Sequence, residues 1–136
     1  VPIPTAEAWQ LSNAPVMAMA PFRASLDLFD RAGVANLRAK SRTLTAYLHE
    51  VLEEVARVSG CAFEIITPTE ERGAQISLLV HGYGRPLFDY LMEQGVIADW
   101  REPNVIRMAP VPLYNSFEDV RTFGIILLNY LNEQGA

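Results

Sequence analysis

A chain of 136 residues, half of them hydrophobic and a fifth charged, fits one globular domain able to bury roughly two-thirds of its unfolded surface. The net charge of -5, with Lys40 as the single lysine and the arginines scattered, argues against a nucleic-acid groove, which needs clustered cations to neutralise phosphates. Cys61 stands alone, so an internal disulfide or a multi-cysteine metal site is excluded and a reducing, cytoplasmic setting is expected.

His49 and His81 are too few for a histidine-based metal cluster, and no metal site is expected. No apolar run reaches the roughly 18 residues of a membrane span. The chain opens Val-Pro-Ile-Pro without a methionine, as a piece of a longer protein would.

Residues 1–15 hold Pro2, Pro4 and Pro15 around "AEAWQLSNAP" and lack periodicity, which predicts an extended opening segment before a domain over residues 16–136. Asn13, two residues before Pro15, is placed to cap a helix running to about Ala32 and stopped by Gly33. Pro21 inside that helix predicts a kink or a late start. The second helix runs from Val34 to about Ser59, closed by Gly60. Leu37, Leu44, Leu48, Val51, Val55 and Val58 form its apolar stripe.

"CAFEIIT" and "AQISLLVH" read as strands joined by the turn "PTEERG". "RPLFDYLMEQG" is a short helix ended by Gly95. "VIADW" and "NVIRMA" are two more strands, joined at Arg101–Asn104, where Pro103 bars regular pairing. A last helix starts at "NSFEDV", with Asn115 and Glu118 at capping-box spacing. The element order predicts an α+β fold, an antiparallel sheet of about four strands covered on one face by helices.

Arg107 is the one charge in "VIRMAPVPLYNSF". Side chains alternate across a sheet, so Ile106 and Met108 share one face while Val105, Arg107 and Ala109 share the other. The bulkier pair should face the helices, which turns Arg107 to the opposite side. From alternation alone two roles stay open: a solvated or salt-bridged structural arginine, or a guanidinium that holds a carboxylate through two parallel N–H···O bonds.

Other positions favour plain roles. Asn13 is first a cap, with an amide contact to an anionic cofactor as its alternative. Ser12 has no neighbouring base that would make it a nucleophile. Cys61 has no adjacent cation and reads as an inert buried thiol. "GYG" at residues 82–84 is too short for a phosphate loop. Lys40 sits mid-helix beside Arg38 and Arg42, an exposed basic setting without the apolar pocket that a Schiff-base lysine needs. No self-contained catalytic set is present.

Five stretches together resemble the C-terminal part of kynureninase, a pyridoxal-phosphate enzyme of the aspartate-aminotransferase fold type. They are "WQLSNAP" (9–15), "RASLDLFDRAG" (23–33), "LRAKSRTLTAYL" (37–48), "IITPTEERGAQISL" (65–78) and "GVIADWREPNVIRMAPVPLYNSFEDV" (95–120). The resemblance implies a small domain that helps to cleave L-kynurenine, or its 3-hydroxy form, to an anthranilate and alanine. Arg107, in I-R-x-A-P-x-P-L-Y-N, then corresponds to the arginine that pairs with the substrate α-carboxylate. Asn13, in S-N-x-P, corresponds to an asparagine beside the pyridoxal 5'-phosphate.

The lysine that carries the cofactor, its phosphate-binding residues and its pyridine-nitrogen partner belong, in that family, to a large domain absent from this chain. The expectation is an inactive chain by itself, completed by its own large domain and a homodimer partner. Two other readings are the small domain of a related enzyme, such as a cysteine desulfurase or an aminotransferase, and a free-standing regulatory module that binds a small metabolite.

Overall fold

The computed structural model describes residues 2–10, 12–61 and 63–134, which divide into two compact units, Val1–Val34 and Ala35–Ala136. In the first unit a single 3-10 turn, Ala6–Trp9, interrupts the opening segment expected to be extended throughout. The Thr5 hydroxyl donates to the Glu7 carboxylate there at 3.2 Å.

Helix α1 follows as Val16–Ala32, and its N-cap is Pro15, with no side-chain cap bond. The capping role expected of Asn13 is therefore corrected. A capping side chain must sit directly before the first helical residue to reach the free N–H groups. Asn13 is two residues too early, because Pro15, with φ -75°, sets the start. The Pro15 carbonyl accepts from Ala18 at 2.9 Å and from Met19 at 3.0 Å. Pro21 lies inside the helix, so there is no late start. Gly33 ends it at φ 78°, a left-handed conformation that glycine adopts without a Cβ clash.

The second unit is built on α2, Val34–Ser59, as the stripe predicted. Leu44, Leu48 and Val55 are buried, and so is Leu52, four residues after Leu48, which the stripe left out. A helix of 3.6 residues per turn drifts about 20° per heptad, so the series through Leu44 and Val51 has turned off the core by Val58, which is half exposed. The strands are β1 (Phe63–Ile65), β2 (Ile76–Val80), β3 (Asp99–Arg101) and β4 (Val105–Met108), in the order β1-β2-β4-β3 and antiparallel throughout. Helices α3 (Gly84–Glu93) and α4 (Phe117–Gln134) complete the unit.

One sheet face supplies Ile76, Leu78, Val80 and Ile106 to a core shared with α2, α3 and α4. Each fully buried Leu or Ile in it contributes about 1.5–3 kcal/mol relative to exposure. Where α4 passes α2, Gly124 is buried, and a Cβ added there would run into the side chain of Val51. Glycine is required by the close approach of these two helices.

The cap of α4 also differs from the expected Asn115–Glu118 pair. Ser116 is the capping residue: its N–H donates to the Asp119 carboxylate at 2.7 Å, and its Oγ accepts from the Asp119 N–H at 3.2 Å. Asn115 instead closes the preceding turn, its Oδ1 accepting from the Val111 N–H at 2.8 Å, while Glu118 pairs with Arg121. These bonds to Ser116 hold the Asp119 carboxyl below its usual pKa. Ser116→Ala should lower unfolding stability by about 1 kcal/mol, read as a shifted denaturant midpoint at unchanged slope. An unshifted midpoint would remove the cap assignment.

Candidate functional site

The β3–β4 hairpin fixes the surroundings of Arg107. Its register pairs Asp99 with Arg107, Trp100 with Ile106 and Arg101 with Val105. Alternation then sends Trp100 and Ile106 toward the helices, and Trp100 packs against Phe88 of α3 with the rings tilted by 48° at a centroid distance of 5.9 Å. Arg107, Asp99 and Arg101 share the other face, as alternation predicted for Arg107. On β2 the residue opposite Arg107 is Ser77, whose Oγ accepts from the Gln75 amide at 3.3 Å. A short polar row thus crosses a face on which Leu79 and Val105 are only half-buried.

Within that row Arg107 donates from Nε to Asp99 Oδ2 at 2.7 Å and from Nη2 to the same oxygen. Arg101 approaches Oδ2 from its Nε at 3.1 Å. Arg107 is one-third exposed and Asp99 about half, so water screens the pair and its net contribution to stability is small. Its geometry is nevertheless definite. A guanidinium has five N–H donors in a rigid fork, and Asp99 occupies the Nε edge. The two donors on Nη1 and one on Nη2 meet no acceptor among the described residues.

The Arg107 guanidinium, helped by Arg101, holds the Asp99 carboxyl below its ordinary pKa. A depressed carboxylate contributes fully above its unfolded value of about 3.9 and loses that contribution only as pH falls through the folded value. The Asp99 carboxylate therefore stays ionised across neutral pH.

The other sequence-predicted positions separate. Asn13 lies in the first compact unit, exposed, with no side-chain hydrogen bond among the described residues. Lys40, expected in an exposed setting, is half-buried: its Nζ donates to the Pro112 carbonyl at 2.8 Å. That bond ties α2 to the loop leaving β4 and gives the amine a structural task. Cys61 is half-buried, with Sγ 2.7 Å from the Tyr83 hydroxyl, and this contact together with burial pushes the Tyr83 phenol up. Among the described residues no cluster of metal-ligating side chains forms.

Asp99 escapes a reading of the sequence because its role depends on register. A hairpin centred on Pro103 pairs it with Arg107, whereas a join drawn at Arg101–Asn104 leaves the centre open by one residue.

The architecture defines a class of fold, an α+β domain in which one face of a four-stranded antiparallel sheet packs on helices. Among solved structures, 8-amino-7-oxononanoate synthase from Francisella tularensis matches 96% of this chain and 37% of its own length with a TM-score of 0.62. At 16% identity that likeness is one of fold alone.

Sequence narrows the class to a family. Residues 37–127 match the kynureninase C-terminal domain, and the chain belongs to that family. The kynureninase of Christiangramia forsetii is 56% identical over 128 residues, covering 93% of this chain. That of Xanthomonas euvesicatoria pv. vesicatoria is 58% identical over 128 residues, covering 90%. The chain spans about 30% of the length of these curated relatives. These matches do not favour the related-enzyme or regulatory-module readings.

Proposed function

We propose that this chain is the small domain of a kynureninase that hydrolyses L-kynurenine, or its 3-hydroxy form, at the Cβ–Cγ bond to an anthranilate and L-alanine. The observation that carries the proposal is the family match across residues 37–127, joined to kynureninases at 52–58% identity. In this reading Arg107 binds the substrate α-carboxylate. Its guanidinium lies on the sheet face opposite α2, α3 and α4, with its Nη1–Nη2 edge unoccupied among the described residues, the edge that accepts a carboxylate end-on. Anchoring that carboxylate restricts rotation of the substrate about Cα and so orients the bond to be cut.

Pyridoxal 5'-phosphate, when bound, supplies the electron sink for bond cleavage next to the substrate's amino-bearing carbon. The residue of this chain that fits it is Asn13, whose exposed amide has both a donor and an acceptor to offer. Lys40 does not fit as the cofactor's anchor, since its amine is committed to Pro112. The proposal therefore includes an own large domain that carries the cofactor, and a homodimeric, cytoplasmic enzyme. The lone half-buried cysteine is compatible with a reducing compartment.

Two measurements test it together. The full-length protein containing this chain, incubated with pyridoxal phosphate and kynurenine, should release fluorescent anthranilate. The 136-residue chain alone should release none and should show no cofactor–lysine absorbance band. Absence of anthranilate from the full-length protein would overturn the activity; turnover by the isolated chain would overturn the division of labour.

A further inference from the structure

Arg107 lies in a strand with solvent on its side of the sheet, and a long flexible side chain there would ordinarily sample many rotamers. Here it does not stand free. Asp99, the residue directly opposite on β3, takes both the Nε and one Nη2 hydrogen on a single oxygen. We infer that Asp99 is a positioning residue: it grips the Nε edge of Arg107 so that the Nη1–Nη2 edge is presented outward to a carboxylate ligand. This rests on the reading of Arg107 as the substrate's carboxylate receptor and deepens it.

Three features of the geometry carry the inference. Both donors go to one oxygen, Oδ2, which places the carboxylate on one edge of the fork and leaves the adjoining edge open. The contact spans a directly opposed pair between two antiparallel strands, so backbone pairing holds both Cα atoms and only side-chain torsions remain to be set. Arg101 reaches the same oxygen at 3.1 Å from two residues along β3. Asp99 therefore also lies between two guanidinium groups that would otherwise repel each other across the strand pair.

Removing Asp99 has opposed effects on ligand binding. It unmasks positive charge, which favours an incoming carboxylate, but between groups this exposed such a gain is at most about fivefold. It also frees the Arg107 torsions and lets Arg101 push the side chain aside. Restoring order to one such side chain on binding costs about threefold to tenfold in affinity. The Arg101 repulsion adds to that loss, so weaker binding is the expected result.

The test uses the full-length enzyme with Asp99→Ala, Asp99→Asn, Arg107→Ala and the Asp99→Ala/Arg107→Ala double variant. Asp99→Ala should raise KM for kynurenine by up to about tenfold, the full ordering cost less what the unmasked charge returns, with kcat little changed. Asp99→Asn, which keeps shape and one acceptor, should fall between wild type and Asp99→Ala. The double variant should be no worse than Arg107→Ala alone, as expected when one residue acts through the other.

As a competitive inhibitor, the decarboxylated amine analogue of kynurenine should bind wild type and Asp99→Ala equally, because it offers Arg107 nothing to hold. Should Asp99→Ala fold poorly, Asp99→Asn carries the same comparison. Equal weakening of kynurenine and the decarboxylated analogue would mark Asp99 as merely structural and overturn the inference. An unchanged KM in both Asp99 variants, with a raised KM in Arg107→Ala, would overturn it while leaving the Arg107 reading intact. A normal KM in Arg107→Ala would instead remove the Arg107 reading, and the inference with it.

Discussion

Arg107→Ala in the complete enzyme should weaken binding of kynurenine by roughly 2–5 kcal/mol, the cost of leaving a desolvated carboxylate without its partner. The effect should appear chiefly in KM, and Arg107→Lys should recover little of it. Lysine carries the charge as a compact ammonium and cannot offer two parallel N–H groups to a carboxylate. The variant should fold normally. Arg107 is one-third exposed, and its pair with Asp99 is too well screened to matter much for stability. Steady-state kinetics with kynurenine, beside a denaturation curve, separate the two quantities. Near-wild-type KM and kcat in Arg107→Ala would remove the carboxylate assignment.

The second large effect lies one residue earlier on the same strand and has the opposite character. Ile106 is fully buried, paired with Leu78 on β2 and Trp100 on β3, and packed in the core shared with the helices. Ile106→Ala deletes three carbons from a site that cannot fully collapse, and should destabilise the fold by about 2–5 kcal/mol. Against a total stability of about 5–15 kcal/mol this is a large fraction. A denaturant titration should show a lower midpoint at unchanged slope. A stability within about 0.5 kcal/mol of wild type would mean that Ile106 is not in the core, and that the facing of β4 is reversed. Adjacent residues on one strand thus separate into an outward-facing charged residue and a packing residue, as pleating requires.

That separation is legible in the residue pattern of the strand. The alternation in "NVIRMA" assigns Ile106 inward and Arg107 outward, and the folded sheet places both side chains on those faces. Helix α2 ends at Ser59 and Gly60, as the punctuation predicts, because glycine at positive φ is a local requirement that a sequence displays openly. Other local readings fail through small displacements. Asn115 and Glu118 have capping spacing, but so do Ser116 and Asp119 one residue on. Both pairs are chemically competent, and the choice depends on where the Val111–Asn115 turn closes. Asn13 likewise has the chemistry of a cap and lacks only the position, since Pro15 starts the helix after it.

The sequence by itself determined the element order, the antiparallel α+β class, the face of Arg107 and, through motif resemblance, the family. Those depend on patterns of period two and 3.6, on glycine and proline, and on contiguous residue identity, all of which are local. Only the tertiary structure decided which partner Arg107 has. A shift of one residue in the β3–β4 pairing would have placed Ile106 opposite Asp99 and turned every β3 side chain to the other face. Register is selected by packing at a distance: Trp100 on Phe88 of α3 and Ile106 in the core shared by three helices. The carboxylate that grips Arg107 is written in the sequence eight residues upstream, but its meeting with the guanidinium is a property of the folded sheet.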